Sequence, residues 1–285
     1  MATDVGRCVV VGVDGSPSAL RAVRWAADEA AHRQAPLRLV TVFLGAEDVP
    51  DVYVNPSRMA LTGAVAAAQE LRGEVQISSE LRYGDPIDVL HEEARRAQLM
   101  VLGDRGITRF EGLLVGSVGV ARAAHAACPV VVVRGREPID PTGPVVVGVD
   151  GGPVSETAIA FAFQAAADRN APLTAVHTRW DGFLDPSPPN MFREEDQSYE
   201  EKLLAQRLVG WSEKYPQVAV TRVVTRDHAV HHLVERSRAA QLIVVGSRGH
   251  GELAGLVLGS VSNALVHKAD CPVAVVRPAA VEGAR

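Results

Sequence analysis

A stretch of 34 residues occurs twice in this chain. Val101 to Arg134 reads VLGDRGITRFEGLLVGSVGVARAAHAACPVVVVR, and Val244 to Arg277 reads VVGSRGHGELAGLVLGSVSNALVHKADCPVAVVR; aligned without gaps, 17 of the 34 positions are identical. Whatever one copy folds into, the other must fold into as well. The offset between the copies is 143 residues, which is one whole domain and not a solenoid unit. A chain of 285 residues has room for two such domains, each with its own core.

Each copy reads strand, glycine-rich loop, helix, strand, and each loop follows one pattern: Gly, two residues, Gly, nine residues, Gly-Ser. The first loop holds Gly103, Gly106, Gly116 and Ser117; the second holds Gly246, Gly249, Gly259 and Ser260. Glycine tolerates positive φ and lets a ligand come close to the backbone. The Gly-Ser pair precedes an apolar helix expected to begin near Val118 or Val261. Free N–H groups and the positive end of the helix dipole meet there, and both favour an anion. The serine is expected either to cap the helix or to donate its hydroxyl to a phosphate. Arg105 and Arg248 lie inside the loops, within reach of such a phosphate.

The rest of the chain fits around these loops. Arg7 to Val13 (RCVVVGV) is a short Val-rich run suited to a strand buried on both faces of a parallel sheet. In the turn that follows, Asp14-Gly15-Ser16-Pro17, Ser16 suits an N-cap and Pro17 a first helical turn. Val23, Ala26, Ala27 and Ala30 then recur at helical spacing, and Leu37 to Phe43 reads as the second strand. The pattern predicts a loop over Gly45 to Arg58, a helix over Met59 to Leu71, and an edge-like strand over Glu74 to Arg82. It then predicts a helix over Ile87 to Arg96 capped by Asp85, a strand over Leu99 to Leu102, and a closing strand over Val130 to Val133. Five strands alternating with four helices imply a parallel α/β sheet with right-handed crossovers.

Gly135 to Gly143 (GREPIDPTG) has no apolar periodicity and reads as a linker. The domains are therefore set at residues 1–136 and 145–285, with 137–144 between them. The same programme restarts at Val145 to Val149, passes Asp150-Gly151-Gly152-Pro153, and continues through an Ala-rich helix to Leu173. The offset between the halves grows from 136 at Asp14 and Asp150 to 143 at Leu90 and Leu233, so the second half has gained seven residues, between Trp180 and Val223.

In open sheets of this kind, ligands sit outside the carboxyl ends of the strands, at the switch point. Three features of each half map there: Asp14 or Asp150 after strand one, Val42 or Thr178 at the end of strand two, and the glycine loop after strand four. An aspartate is a poor phosphate ligand, but its carboxylate accepts hydrogen bonds from a ribose hydroxyl or an amine. The alternative is that both aspartates serve only the Asp-Gly turn. The chain has no Gly-x4-Gly-Lys-Ser/Thr loop, no Gly-x-Gly-x2-Gly after strand one, no Gly-x-Ser-x-Gly elbow and no Cys/His set at zinc spacing. His231, His232 and Glu235 read as a helix surface, and no catalytic site is assigned. A net charge of -5 without a Lys/Arg-dense run argues against nucleic acid as a partner. Cys8, Cys128 and Cys271 read as small buried hydrophobes. No apolar run approaches membrane-spanning length, and the opening MATDVGRCVVVGVDG lacks a basic stretch before a signal-length apolar core. The expectation is a reduced, cytoplasmic protein.

These residues resemble the universal stress protein family in its tandem two-domain form, of the actinobacterial and mycobacterial type. The resemblance is carried by VVVGVDGSPSAL and VVVGVDGGPVSE, by the two glycine loops and by the Cys-Pro-Val strands that follow them. It implies two tandem open-sheet, Rossmann-like α/β domains, each of five parallel strands in the order 3-2-1-4-5. It implies ATP in each crevice, with Mg2+ carried on the phosphates. Asp14-Gly15 and Asp150-Gly151 would contact the nucleoside, and Val42 and Thr178 would lie along the adenine. The loop glycines with Ser117 and Ser260 would hold the phosphates. The resemblance implies a stress-responsive binding module without dedicated catalysis. Members pair through their last strands, which implies a homodimer or an intramolecular domain pair, and a regulatory protein partner. The rival readings are a weak ATPase or phosphotransferase and a nucleotide-free interaction scaffold. Two departures stand out. Asp104 replaces Ser247 of the second copy and is expected to repel a triphosphate. Arg226-Asp227-His228-Ala229 replaces Tyr83-Gly84-Asp85-Pro86 before the third helix, which puts the start of that helix in doubt.

Overall fold

The computed structural model describes residues 8–105, 109–110, 113–114, 127–135, 140–178, 194–225, 228–247 and 258–277. The described residues fall into two compact units that meet in sequence between Arg134 and Gly135.

The first unit runs β1 (Cys8–Gly12), α1 (Pro17–His32), β2 (Leu37–Phe43), α2 (Asp51–Leu71), β3 (Ile77–Tyr83), α3 (Pro86–Ala94) and β4 (Ala97–Gly103). A two-residue antiparallel pair follows, β5 (Arg109–Phe110) with β6 (Leu113–Leu114), and then β7 (Val130–Val133). Its sheet is parallel, in the order β3-β2-β1-β4-β7. The second unit runs β8 (Val145–Val149), α4 (Pro153–Asp168), β9 (Leu173–Thr178), α5 (Glu194–Lys214), β10 (Val220–Thr225), α6 (Ala229–Ser237), β11 (Leu242–Gly246), α7 (Ser260–Lys268) and β12 (Val273–Val276). Its sheet is also parallel, in the order β10-β9-β8-β11-β12. Counting the long strands in sequence, both sheets are 3-2-1-4-5, and the chain is a tandem α/β protein.

The valine runs explain the sheets. Val9, Val10 and Val11 are fully buried, as are Val145 and Val147, because helices cover both faces of each sheet. Fully burying one such side chain contributes about 1.5–3 kcal/mol. In α1, Ser16 caps the helix by accepting from the Ala19 N–H at 3.0 Å, and Ala22, Val23, Ala26, Ala27 and Ala30 form the buried face.

The structure corrects one element of the sequence reading. The loop expected over Gly45 to Arg58 is in its second half helical, since α2 begins at Asp51 and carries Pro56 inside it. Proline removes one intrahelical hydrogen bond there. The burial of Val54, which continues the stripe of Leu61, Ala64 and Ala68, outweighs that loss, and Asp51 favours the first turn. The doubt over the third helix of the second unit is also resolved: α6 forms, with His228 at its N-cap and no side-chain cap bond.

Cys8, Cys128 and Cys271 are buried free thiols. Burial pushes the Cys128 thiol up to about 12 and raises that of Cys8. At the outer edge of the first sheet, Glu93 on α3 accepts from Arg38 at 2.7 Å and from Arg82 at 2.9 Å, fastening α3 to β2 and β3. Among the described residues no helix is long and apolar enough to cross a membrane.

Candidate functional site

The second unit contains an open cleft at the switch point of its sheet. Its volume is about 100 Å³, smaller than the roughly 300–1,000 Å³ of most small-molecule sites, and it opens to solvent. Gly148 and Val149 of β8 and Val245 and Gly246 of β11 form the floor. A Cβ on Gly148 would stand 3.1 Å from both Leu233 and Val245, so glycine keeps that floor free. Val176 and Thr178 at the end of β9 form one wall, and Ala229 and Leu233 of α6 contribute an apolar patch.

Asp150 stands where β8 ends. Its Oδ1 accepts from the Gly152 N–H at 2.8 Å and from the Ser155 hydroxyl, while the Asp150 N–H donates to Ser155 Oγ at 3.1 Å. The carboxylate therefore closes the Asp-Gly turn and also lines the cleft. Gly151 sits behind it with φ 83°, a left-handed conformation that favours glycine.

The opposite wall is the amino end of α7. Gly259 is its N-cap residue, no side chain caps it, and Ser260, Val261 and Ser262 line the cleft. The N–H groups of a first helical turn have no intrahelical acceptor. The Gly259 N–H is used, donating to the Ser247 carbonyl at 2.8 Å. The Ser262 hydroxyl turns inward to the Gly259 carbonyl at 3.0 Å. Ser260 is thus the first helical residue and not a cap: the extended backbone of Gly259 already supplies the cap position, and the helix starts one residue before Val261. This wall joins N–H donors without an intrahelical acceptor to the positive end of a helix dipole, an arrangement suited to an anion.

Of the residues expected at this site, Asp150, Thr178, Gly246, Gly259, Ser260 and Val261 line one cleft. Arg248 and Gly249 lie outside the described residues. Sequence reasoning missed Gly148, Val149, Ser155, Val176, Ala229, Leu233, Val245 and Ser262. Gly148 had a signal, a glycine interrupting a valine strand; the others depend on contacts that spacing does not encode.

In the first unit the described part of the site differs. Asp14 accepts from the Ser16 N–H at 2.9 Å, and Gly15 has φ 84°, so the same turn forms. Val42 is half-buried and packs against the core around Cys8, Val10 and Leu102. Gly103 answers to packing: a Cβ there would stand 2.6 Å from Ser18 Oγ and 2.9 Å from the Ser18 carbonyl oxygen. Beyond it, Asp104 Oδ1 accepts from Ser18 Oγ at 2.6 Å and from Arg21 at 3.2 Å. The Arg105 N–H donates to Ser18 Oγ at 3.2 Å, its carbonyl accepts from Ser16 Oγ at 3.3 Å, and its side chain is 85% exposed. The carboxylate set by sequence beside a triphosphate is thus engaged by α1. Gly106, Gly116, Ser117 and Val118 lie outside the described residues.

A 3-2-1-4-5 parallel sheet built twice in one chain, with a cleft at the switch point of the second, defines a tandem protein of the Rossmann-like open-sheet class. Within that class the chain belongs to the universal stress protein family, whose model matches residues 7–134 and again 142–277. It is 40% identical to universal stress protein Rv2623 of Mycobacterium tuberculosis over 285 residues, covering 94% of this chain and 96% of that one. It is 39% identical to universal stress protein Rv2005c of the same organism over 287 residues, with the same coverage of 94% and 96%. The solved structure of a universal stress protein from Archaeoglobus fulgidus shares the fold, with a TM-score of 0.69 at 18% identity over 95% of this chain and 98% of that one.

Proposed function

We propose that this chain is an ATP-binding module whose occupancy is read out in a stress response, and that it works by binding rather than by turnover. One observation carries the reading: in the second unit, the uncapped amino end of α7 and the carboxylate of Asp150 line the same cleft. Those are the two chemistries a nucleotide presents, phosphate oxygens for the helix end and ribose hydroxyls for the carboxylate. The apolar patch of Val176, Ala229 and Leu233 suits a base. Mg2+ would arrive on the phosphates; among the described residues no three His, Cys, Asp or Glu side chains gather to hold a metal. The first unit carries the same glycine pattern and the same Asp14 turn, and is proposed as a second site.

Titration calorimetry of the full chain with Mg-ATP tests this. Saturable binding with one or two sites per chain is expected. Absence of binding at millimolar ATP, weaker than about -4 kcal/mol, overturns it. Steady phosphate release that follows ATP occupancy would replace it with the ATPase reading.

A further inference from the structure

We infer that α5 is a positioning element for the second cleft, holding the main chain on both sides of Asp150. The inference rests on the proposed nucleotide reading and adds residues outside the cleft lining. Two side chains of α5 make the grip. Arg207 donates through Nη2 to the Gly151 carbonyl and through Nη1 to Glu156 on α4 at 3.2 Å. Glu200 faces His177 Nε2 at 3.1 Å, and His177 Nδ1 lies 2.8 Å from the Val149 carbonyl. A carbonyl oxygen only accepts, so Nδ1 carries a hydrogen, and Nε2 donates to the Glu200 carboxylate in the imidazolium form, in which both ring nitrogens are donors. His177 is buried, in register with Val149 across the parallel β8–β9 pair.

Glu200 and Arg207 are seven residues apart, two helical turns, and so lie on one face of α5. Their targets, the carbonyls of Val149 and Gly151, flank Asp150. The residue expected to meet the ribose is therefore clasped before and after by one helix.

Among the described residues the first unit has no such device. Helices α2 and α5 correspond from end to end, Asp51 to Glu194 and Leu71 to Lys214. At the offset of 143, Ser57 stands for Glu200 and Ala64 for Arg207; at the offset of 136, Thr41 stands for His177. None of the three can make the same bonds. The grip is specific to the second unit, and its consequence is local: it fixes the nucleoside end of the cleft and leaves the phosphate end at α7 alone.

The test uses the full chain carrying Ser117→Glu to silence the first cradle. Affinities for Mg-ATP and for inorganic tripolyphosphate are measured with melting temperature, for Arg207→Ala, Arg207→Lys and Glu200→Ala. Arg207→Ala is expected to weaken ATP about tenfold, the scale of one charge-assisted hydrogen bond, with tripolyphosphate affinity unchanged. Arg207→Lys, which keeps the charge without the fork, is expected to recover part of the loss. Glu200→Ala repeats the pattern through His177 and guards against a folding defect in one variant. Unchanged ATP affinity overturns the inference, and so does a parallel loss of both ligands with a lowered melting temperature. If the background chain binds no ATP while the unsubstituted chain does, the second cleft is not a nucleotide site and the inference falls alone; if neither binds, the nucleotide reading beneath it falls as well.

Discussion

The two glycine loops share their spacing, yet among the described residues their roots are anchored in different places. In the first unit the root is tied to α1: Asp104 and Arg105 bond Ser16, Ser18 and Arg21. In the second unit Ser247 replaces Asp104 and the root is tied to the following helix, its carbonyl accepting from the Gly259 N–H at 2.8 Å and the Ser262 hydroxyl at 3.4 Å. The hydroxyls of the first helix have moved to match. Ser16 and Ser18 of the first unit correspond to Gly152 and Val154, whereas Ser155 corresponds to Ala19 and bonds Asp150 instead. One duplicated motif has thus been wired in two ways: the first unit commits its polar side chains to the loop root, the second to the aspartate.

The strongest way to break this comparison is to load the anion cradles one at a time. Ser260→Glu places a carboxylate on the first residue of α7, where the phosphates are proposed to sit. ATP binding in the second unit should weaken by about 100-fold or more, since opposing like charges at an interface costs several kcal/mol. The same acid should stabilise the uncapped helix by about 0.3–1 kcal/mol, so lost binding would come with an unchanged or raised melting temperature. Ser117→Glu is the matching change in the first unit. If both units bind, each variant halves the stoichiometry seen by calorimetry. If only one variant matters, the units differ in function as well as wiring.

A smaller effect isolates the first root. Asp104→Ser installs the residue of the second unit and removes the acceptor of Ser18 and Arg21. Asp104 is 11% exposed and Arg21 28%, so the lost charge-assisted bonds should cost about 1–3 kcal/mol. Thermal unfolding measures the cost, and hydrogen exchange should show the Arg105 amide opening more readily. No change in either would mean that Gly103, packed on the Ser18 backbone, anchors the root by itself.

What the sequence disclosed and what it withheld follow from how far each interaction reaches. Valine runs, the Ser16 cap and the stripe of Val23, Ala26, Ala27 and Ala30 act within a few residues, so strands and helices were legible from spacing. The glycine loops placed Gly246, Gly259 and Ser260 at one cleft because duplication printed the pattern twice. The start of α2 was hidden because Pro56 argues locally for a loop, while the burial of Val54 argues from the sheet for a helix. Leu233 and Ala229 entered the cleft unannounced, since α6 meets β8 only in three dimensions. The grip of Arg207 on Gly151 spans 56 residues and leaves no periodic trace.

The smallest effect concerns the third helices, which start with different residues in the two units. Asp85 caps α3 by accepting from the Ile87 N–H at 2.8 Å and the Asp88 N–H at 3.4 Å, with Pro86 opening the first turn. At the same position His228 gives α6 no side-chain cap, although α6 supplies Ala229 and Leu233 to the cleft. Packing of Leu233, 2% exposed, holds α6 in place of a cap. Asp85→Ala should therefore cost the first unit about 1 kcal/mol, and His228→Asp should return a comparable fraction to the second. Chemical denaturation of the two variants reads both. Should His228→Asp stabilise the chain yet weaken ATP, the missing cap is a concession to the ligand, whose base is proposed to rest on the neighbouring Ala229 and Leu233.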